Sequence, residues 1–572
     1  MTTSDSNKPV KPKSSLKETI TSLTIAFAMA FVFRGFVIEG FVIPTGSMAP
    51  TLMGAHHRIH SPQSGYTWAV NNWDRGSTPD VTDPLLGVGT EVLGPDVGAR
   101  AEQRGGDRIF VLKYLTGLYD AERFDSAVFK FPGNPAENYI KRIAGMPNEE
   151  VALVDGDIFT RPLVDVDDSV PSDWTASDWT IVRKPERVQR ELWMPVFDSA
   201  FAPIDPERDG RTWFRPPWLG EKNDGERDRS WTIGANQIYS YDGAGSTNLV
   251  WDFDRRPVTD RYAYNETDAG GTLESRFPGD LQTSQSRVFP VSDVRASFNI
   301  ELEDPQTEIG FEITTRGRQF KVVIAEKLTG ILSRPVPDPD AEPQAPSEPQ
   351  GVMGLPGWTT LETKTHAMNR LGAGRPIRIE FWHADQAIAV WINGEEVARA
   401  EYDWSPAERI EAVTGFTASD LVSAGPRDNR LADTSNYQPA QDIRLTFEGG
   451  PFKLHRVRLD RDLHYQAALY SGNAQQRPHS LRNYAARSTH PVAPMRLGPD
   501  HFLLCGDNSA ASLDSRLWDN PSPWIERALG DGTPGVVHRD LLIGKAFVVY
   551  LPALKRDRGF PVPDLGRVRW IW

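Results

Sequence analysis

Residues 19–38 constrain the fold more than any other part of this sequence. They are mostly apolar and helix-compatible, and Arg34 is their only charge. Twenty residues at about 1.5 Å each match the ~30 Å hydrocarbon core of a bilayer. Arg34 falls near the outer end, where a long stem lets its guanidinium reach the headgroups. Residues 1–18 are polar, with Lys8, Lys11, Lys13 and Lys17 set against Asp5 and Glu18. The positive-inside rule keeps that tail in the cytoplasm and exports everything after about residue 40. A cleaved signal peptide is the rival reading, with an apolar region over 20–33 and small-residue spacing at Ala26-Phe27-Ala28 and Ala28-Met29-Ala30. Apolar Phe31-Val32-Phe33 follows at once with no polar stretch before a cut. An uncleaved, single-pass anchor over 19–40 is therefore expected, behind a cytoplasmic tail over 1–18.

The remainder is too long for one ordinary domain: 572 residues imply two or three. A formal net charge of −14 argues against nucleic acid as a partner, because phosphate backbones need a basic face. Forty-seven glycines and 45 prolines favour turns and short strands over long helices. The single cysteine, Cys505, excludes an intramolecular disulfide. Within Phe502-Leu503-Leu504-Cys505 it reads as a small buried apolar residue.

The expected class is mainly β. Short apolar strands separated by Gly, Asp and Pro run from 41 to 160, as in Arg108–Leu112, Ala127–Phe131 and Val151–Val154. A second such block, with Phe502–Leu504 and Ala546–Tyr550, lies in 491–572. These two parts are expected to form one β-rich domain interrupted in sequence. The intervening 161–490 reads as a separate β-sandwich. Val294–Leu302, Ile377–Trp382 and Phe452–Leu459 alternate polar with apolar residues, and Ala387–Val397 reads as a hairpin turning at Asn393-Gly394. The strand texture resembles a laminin-G/concanavalin-type jelly roll. Pro335–Pro349, rich in proline and acids, is expected to be a loop within it. No internal repeat is evident.

Three motifs carry the chemistry. The first, Phe41-Val42-Ile43-Pro44-Thr45-Gly46-Ser47-Met48-Ala49-Pro50-Thr51-Leu52, follows the apolar segment directly. The second, Asn138-Tyr139-Ile140-Lys141-Arg142-Ile143-Ala144-Gly145-Met146-Pro147, puts a lysine inside a strand-like apolar run. The third is Gly506-Asp507-Asn508-Ser509-Ala510-Ala511-Ser512-Leu513-Asp514-Ser515-Arg516. Side chains alternate along a strand, so Lys141 and Arg142 face opposite sides, one buried and the other solvated. Burial lowers a lysine pKa toward neutrality and makes it a base for a serine hydroxyl.

In this order, behind a membrane segment, the three blocks resemble a type I signal peptidase, a membrane-anchored Ser/Lys endopeptidase. The resemblance implies that Ser47 is the nucleophile and Lys141 the general base. It gives Thr45, with the Ser47 backbone N–H, the oxyanion hole. Ser512 would hydrogen-bond and orient the lysine, and Asp514 and Arg516 would form a supporting ion pair. Asn148-Glu149 departs from the family's final Gly-Asp, and Asp125–Phe129 matches a further family box poorly at its start. The implied substrates are exported preproteins with Ala-x-Ala-type signal peptides, bound by strand addition beside Lys141 and Ile43. The implied site is the exported face of the plasma (inner) membrane, beside the lipid bilayer, with the secretion translocon as a further implied partner. No cofactor or metal is required.

His56, His57 and His60 form an H-H-x-x-H cluster, and Ser61-Pro62-Gln63-Ser64-Gly65-Tyr66 looks like a zinc knuckle with both cysteines replaced by serine. Asp155-Gly156-Asp157 reads more simply as a hairpin turn than as a calcium site. Two rival functions remain in view. One is a membrane-tethered glycan- or peptide-binding protein on a degenerate peptidase scaffold. The other is a self-cleaving Ser/Lys regulator, a cytosolic class that would lack the anchor.

Overall fold

The computed structural model describes residues 16–72, 81–86, 101–114, 119–163, 172–203, 205–208, 210–234, 237–265, 288–325, 328–336, 357–365, 374–469, 484–554 and 564–571. Most of the polar tail and of the Pro335–Pro349 segment lies outside these residues. The apolar segment is helix α1 (Leu16–Phe36), 21 residues with mean hydropathy 1.5, and its described side chains are exposed. It starts ahead of the expected residue 19 and stops before residue 40. The chain is already extended from Ile38, where it begins to pair as a strand.

Nine strands precede the inserted region: β1 (Ile38–Val42), β2 (His56–His60), β3 (Thr67–Asn71), β4 (Glu102–Arg104), β5 (Arg108–Lys113), β6 (Ser126–Phe131), β7 (Asn134–Gly145), β8 (Glu149–Val154) and β9 (Asp157–Pro162). The main sheet interleaves them with strands from the far end of the chain. Its order is β1, β5, Leu542–Leu551, β6, β7, His501–Cys505 and Val537–His538, with Arg569–Trp570 beside Leu542–Leu551. Apolar residues from both ends of the sequence meet in its cores, as Ile43, Leu52 and Val128 do with Ala546 and Val549. Strands β8 and β9 pair as a hairpin from Glu149↔Pro162 to Val154↔Asp157. Asp155-Gly156 forms its turn.

The inserted region contributes two antiparallel sheets stacked face to face. The strands Val294–Leu302, Ile377–Ala384, Ala387–Ile392, Glu395–Glu401 and Phe452–Arg461 belong to one. Gly245–Trp251, Glu308–Thr315, Arg318–Ile324, Leu328–Pro335 and Asp442–Gly449 belong to the other. Alternation along the strands sends Phe298, Ile300, Ile379 and Phe381 from the first sheet, and Phe311, Ile313, Leu445 and Phe447 from the second, into a common core. Phe311 and Phe381 stack across it with ring centroids 5.4 Å apart. The Asn393-Gly394 hairpin forms with φ of 52° and 85°, the left-handed pair that a two-residue turn between twisted strands requires.

The sandwich is welded to the sheets built from the two ends of the chain. Helix Pro406–Thr414 starts at a Ser405/Glu408 capping box, and its Ala407, Ile410 and Val413 share one core with Ala152, Val154 and Phe159 of the β8–β9 hairpin. Arg409 on the same helix is buried, with Asp155 at 2.8 Å and Asp157 at 2.8 Å. Truncating Phe381 to Ala removes a fully buried ring at the centre of the sandwich. The expected cost is about 3–5 kcal/mol, read as a lower denaturant midpoint for the insertion. An unchanged midpoint would contradict this core assignment.

Candidate active site

Ser47 lies in the turn that leaves β1. Buried Met48, Ala49 and Leu52 anchor that turn beneath the main sheet. Asp107, just ahead of β5, fixes both ends. Its carbonyl accepts from Ile43 N at 2.9 Å and its carboxylate from Met53 N at 2.9 Å. Opposite the turn, β7 presents Lys141. Lys141 Nζ and Ser47 Oγ are 2.5 Å apart although the residues are 94 positions apart in sequence. Lys141 is 3% exposed and Ser47 half-buried. Burial lowers the Lys141 pKa to about 8, against the opposing pull of the Asp514 and Asp507 carboxylates. This brings the neutral amine that a general base requires within reach near neutral pH.

Behind the pair runs the Gly506–Arg516 segment. Asp514 and Arg516 are 0% and 1% exposed and joined by two hydrogen bonds of 2.8 and 2.9 Å. The same carboxylate accepts from Gly506 N at 3.0 Å. Gly506 must be glycine: a Cβ there would come within 2.2 Å of Ser512 Oγ and 2.5 Å of the Ser47 carbonyl oxygen. The ion pair thus presses the segment against the backbone of Ser47. Thr45 is exposed in the same turn as Ser47.

Two expectations differ from what is observed. Ser512 is buried against Gly506, but its Oγ has no hydrogen-bond partner, so the anticipated bond to Lys141 is not present. Arg142 is not solvated. It faces away from Lys141 as strand alternation demands, but that side of β7 is covered too, and its fork is bidentate to Asp507 at 2.8 and 2.8 Å, with both side chains 0% exposed. Asp507 supplies the charge that makes this burial tolerable.

One contribution from the insertion carries no motif. Asn508 donates from its side chain to the Gly46 carbonyl at 3.1 Å, and its backbone N–H donates to the Ser47 carbonyl at 3.1 Å. The Asn508 amide is held in turn by Asn265, from the insertion, through reciprocal side-chain bonds of 2.9 and 2.8 Å. Asn265 sits 218 positions from Ser47 in a segment with no motif.

A family model described as signal peptidase, peptidase S26, matches residues 94–168. Signal peptidase I of Rickettsia typhi is 25% identical over 149 residues, which cover 26% of this chain and 45% of the relative. Signal peptidase I of Pseudomonas fluorescens is 28% identical over 123 residues, 22% of this chain and 30% of the relative. The chain resembles a type I signal peptidase. It spans less than half the length of these curated relatives. The family match includes Lys141 and leaves Ser47 and Ser512 outside. Among solved structures, the carbohydrate binding module CBM66 from Bacillus subtilis aligns over 43% of this chain and 95% of its own at 6% identity, with a TM-score of 0.21, too low to carry an argument.

The metal candidates read differently in three dimensions. His56 and His57 are neighbours on β2 and face opposite sides; His56 Nδ1 contacts the Gly54 carbonyl at 2.8 Å and His60 Nδ1 meets Thr67 Oγ1 at 3.0 Å. The knuckle-like turn is held by hydroxyls: Ser61 Oγ accepts from Gln63 N and Ser64 N, each at 3.3 Å. One acidic group among the described residues brings carboxylate oxygens of Asp157, Asp293, Asp385 and Asp462 within 4.8 Å of one another. Cations already sit among them: Arg316 is 2.7 Å from Asp293, Arg409 2.8 Å from Asp157 and Lys184 3.0 Å from Asp462. This network ties the β8–β9 turn to the sandwich. Replacing Arg516 with Leu removes the guanidinium that pairs the buried Asp514 carboxylate and is expected to destabilise the fold by about 3–5 kcal/mol. Chemical denaturation checks this; a loss below about 1 kcal/mol, as for a surface pair, would contradict it.

Proposed function

We propose that this protein is a membrane-anchored serine endopeptidase that removes signal peptides from exported preproteins. The observation that carries the reading is the buried amine of Lys141 in contact with the Ser47 hydroxyl. The family match and the apolar helix α1 support it. Ser47 Oγ attacks the scissile carbonyl carbon while Lys141 takes its proton. The Ser47 N–H and the Thr45 hydroxyl stabilise the oxyanion. Lys141 then returns the proton to the departing amine, leaving an acyl-serine. A water that yields a proton to Lys141 attacks this ester, and Lys141 passes that proton to the departing Ser47 Oγ as the peptide is released, restoring both side chains. Asp514 and Arg516 hold the Gly506 segment against the nucleophile turn.

The sheet edges suit an extended substrate. β1 lies at the end of the main sheet. β7 pairs along its length with β6, but on its other side it pairs with His501–Cys505 only from Arg142 to Gly145. The backbone ahead of Lys141 thus offers an unpaired edge among the described residues, suited to a segment with small residues at the first and third positions before the cut. With α1 spanning the plasma (inner) membrane and its N-terminus cytoplasmic, the catalytic part faces the exported side. There the apolar part of a signal peptide stays in lipid, beside Ser47. The intact Ser47–Lys141 contact and the buried pair behind it weigh against a glycan- or peptide-binding protein on an inactive scaffold.

Ser47→Ala and Lys141→Ala are each expected to lower cleavage of a preprotein with an Ala-x-Ala site by at least ~10³-fold in detergent, while the fold is retained. Cleavage by either variant at wild-type rate would sink the dyad assignment.

A further inference from the structure

Two consecutive residues of the insertion, Tyr264 and Asn265, close on the Gly46–Ser47 peptide unit. They belong to a short 3-10 turn, Ala263–Asn265. That turn rests on a firm base. Asn265 N donates to the Tyr262 carbonyl at 3.0 Å, and Ala263 packs with Ile59, Trp68 and Val70 of the β2–β3 hairpin. Tyr264 is 1% exposed, and its ring covers Gly46 so closely that a Cβ there would come within 2.1 Å of Tyr264 Cε1. The ring thus holds Gly46 from one side, while Asn265 reaches its carbonyl through Asn508.

The Asn508 side-chain nitrogen has two hydrogens to give. One goes to the Gly46 carbonyl at 3.1 Å and the other to Asn265 Oδ1 at 2.8 Å. Asn508 Oδ1 accepts from Asn265 Nδ2 at 2.9 Å. The last torsion of an asparagine is broad and roughly two-fold, so a free amide can turn over and exchange its ends. Here such a turn would break both bonds to Asn265 and aim the Asn508 oxygen at the Gly46 carbonyl oxygen. Asn508 is 3% exposed, which leaves water little room to replace a lost bond. Asn265 therefore fixes which end of the Asn508 amide meets Gly46. A peptide unit is planar and trans, so the Gly46 C=O and the Ser47 N–H point in opposite directions within one plane. The Gly46 carbonyl is held by Asn508 and by Ala49 N at 3.0 Å, and that hold sets the direction of the Ser47 N–H. Among the described residues, that N–H donates to no backbone acceptor.

We propose that Asn265 is a positioning residue for peptide hydrolysis: through Asn508 it sets the plane of the Gly46–Ser47 peptide and so aims the Ser47 N–H at the developing oxyanion. The inference rests on the reading of Ser47 as the nucleophile and of its N–H as an oxyanion donor. Such donors work because they are fixed, before the reaction, where charge will appear. A loosened peptide plane leaves substrate binding as it was and weakens only the transition state, so the loss falls on kcat. The Lys141 amine is outside this route. The groups that act on it are Asp514, Asp507, Cys505 and Arg516, and both asparagines are neutral.

The test is steady-state cleavage of a preprotein with an Ala-x-Ala site by the full-length protein in detergent, over a range of pH. Wild type, Asn265→Ala, Asn265→Ser, Asn508→Ala and the Asn265→Ala/Asn508→Ala double variant are compared, with Lys141→Ala run in parallel and folding checked by denaturant midpoint. Asn265→Ala and Asn265→Ser are each expected to lower kcat about 10-fold, short of the ~10²–10³ for outright loss of an oxyanion donor. KM and the pH midpoint of the rate stay at their wild-type values. Because Asn265 acts through Asn508, its replacement is expected to cost nothing further in the Asn508→Ala background. Wild-type kcat in both single variants overturns the proposal. So does a loss carried by KM, a shifted pH midpoint, or a full additional loss in the Asn508→Ala background. Failure of the peptidase reading itself looks different: no cleavage by wild type, or wild-type cleavage by Lys141→Ala, overturns that reading and this inference with it.

Discussion

Everything at the centre of this molecule follows from burying one lysine amine against one serine hydroxyl. An ammonium group at 3% exposure is unfavourable unless its pKa falls or a counter-charge stands nearby, and Lys141 has both. Asp514 and Asp507 lie close enough to moderate the loss of water, but each is committed to its own arginine, Arg516 and Arg142. The two ion pairs are therefore more than scaffolding. They let two carboxylates sit beside the lysine without neutralising it fully, leaving its pKa at about 8 and not at its ordinary value. Removing either arginine would free a carboxylate to hold the lysine protonated.

The insertion is part of this arrangement. It reaches the Ser47 turn through Tyr264 and, by way of Asn508, through Asn265, and reaches the β8–β9 turn through Arg316 and Arg409. Strand β9 leads towards the insertion, and His501–Cys505 on the return path completes the sheet beside β7. A chain that leaves and re-enters the fold around Lys141 can brace that site from outside. The polar contacts at both places are buried, so their energetic weight depends on complete pairing.

The motif residues were legible because each sits in a short contiguous block whose neighbours fix its setting. Ser47 follows the apolar segment in a proline-bounded turn, Lys141 lies within a strand, and Asp514 and Arg516 are two positions apart. Strand alternation and Asn393-Gly394 were equally readable, since both are local. The remainder is tertiary. Alternation places Arg142 opposite Lys141 correctly but says nothing of what covers that face. Ser512 packs on Gly506 because the segment is drawn in by the Asp514–Gly506 bond, a consequence no spacing reveals. Asn265 comes from a separated segment and carries no motif. The apolar helix stops short of residue 40 because β-pairing with β5 competes for Ile38 onward and ends it at Phe36.

The account stands or falls on the neutral amine of Lys141. The most direct measurement is the rate of preprotein cleavage by the full-length protein as a function of pH, under conditions where the fold is constant. Deprotonation creates the base, so the rate should rise with pH along a single titration centred at about 8 and then level off. A rate that is flat across that titration, or that falls as pH rises through it, would contradict a lysine base at position 141.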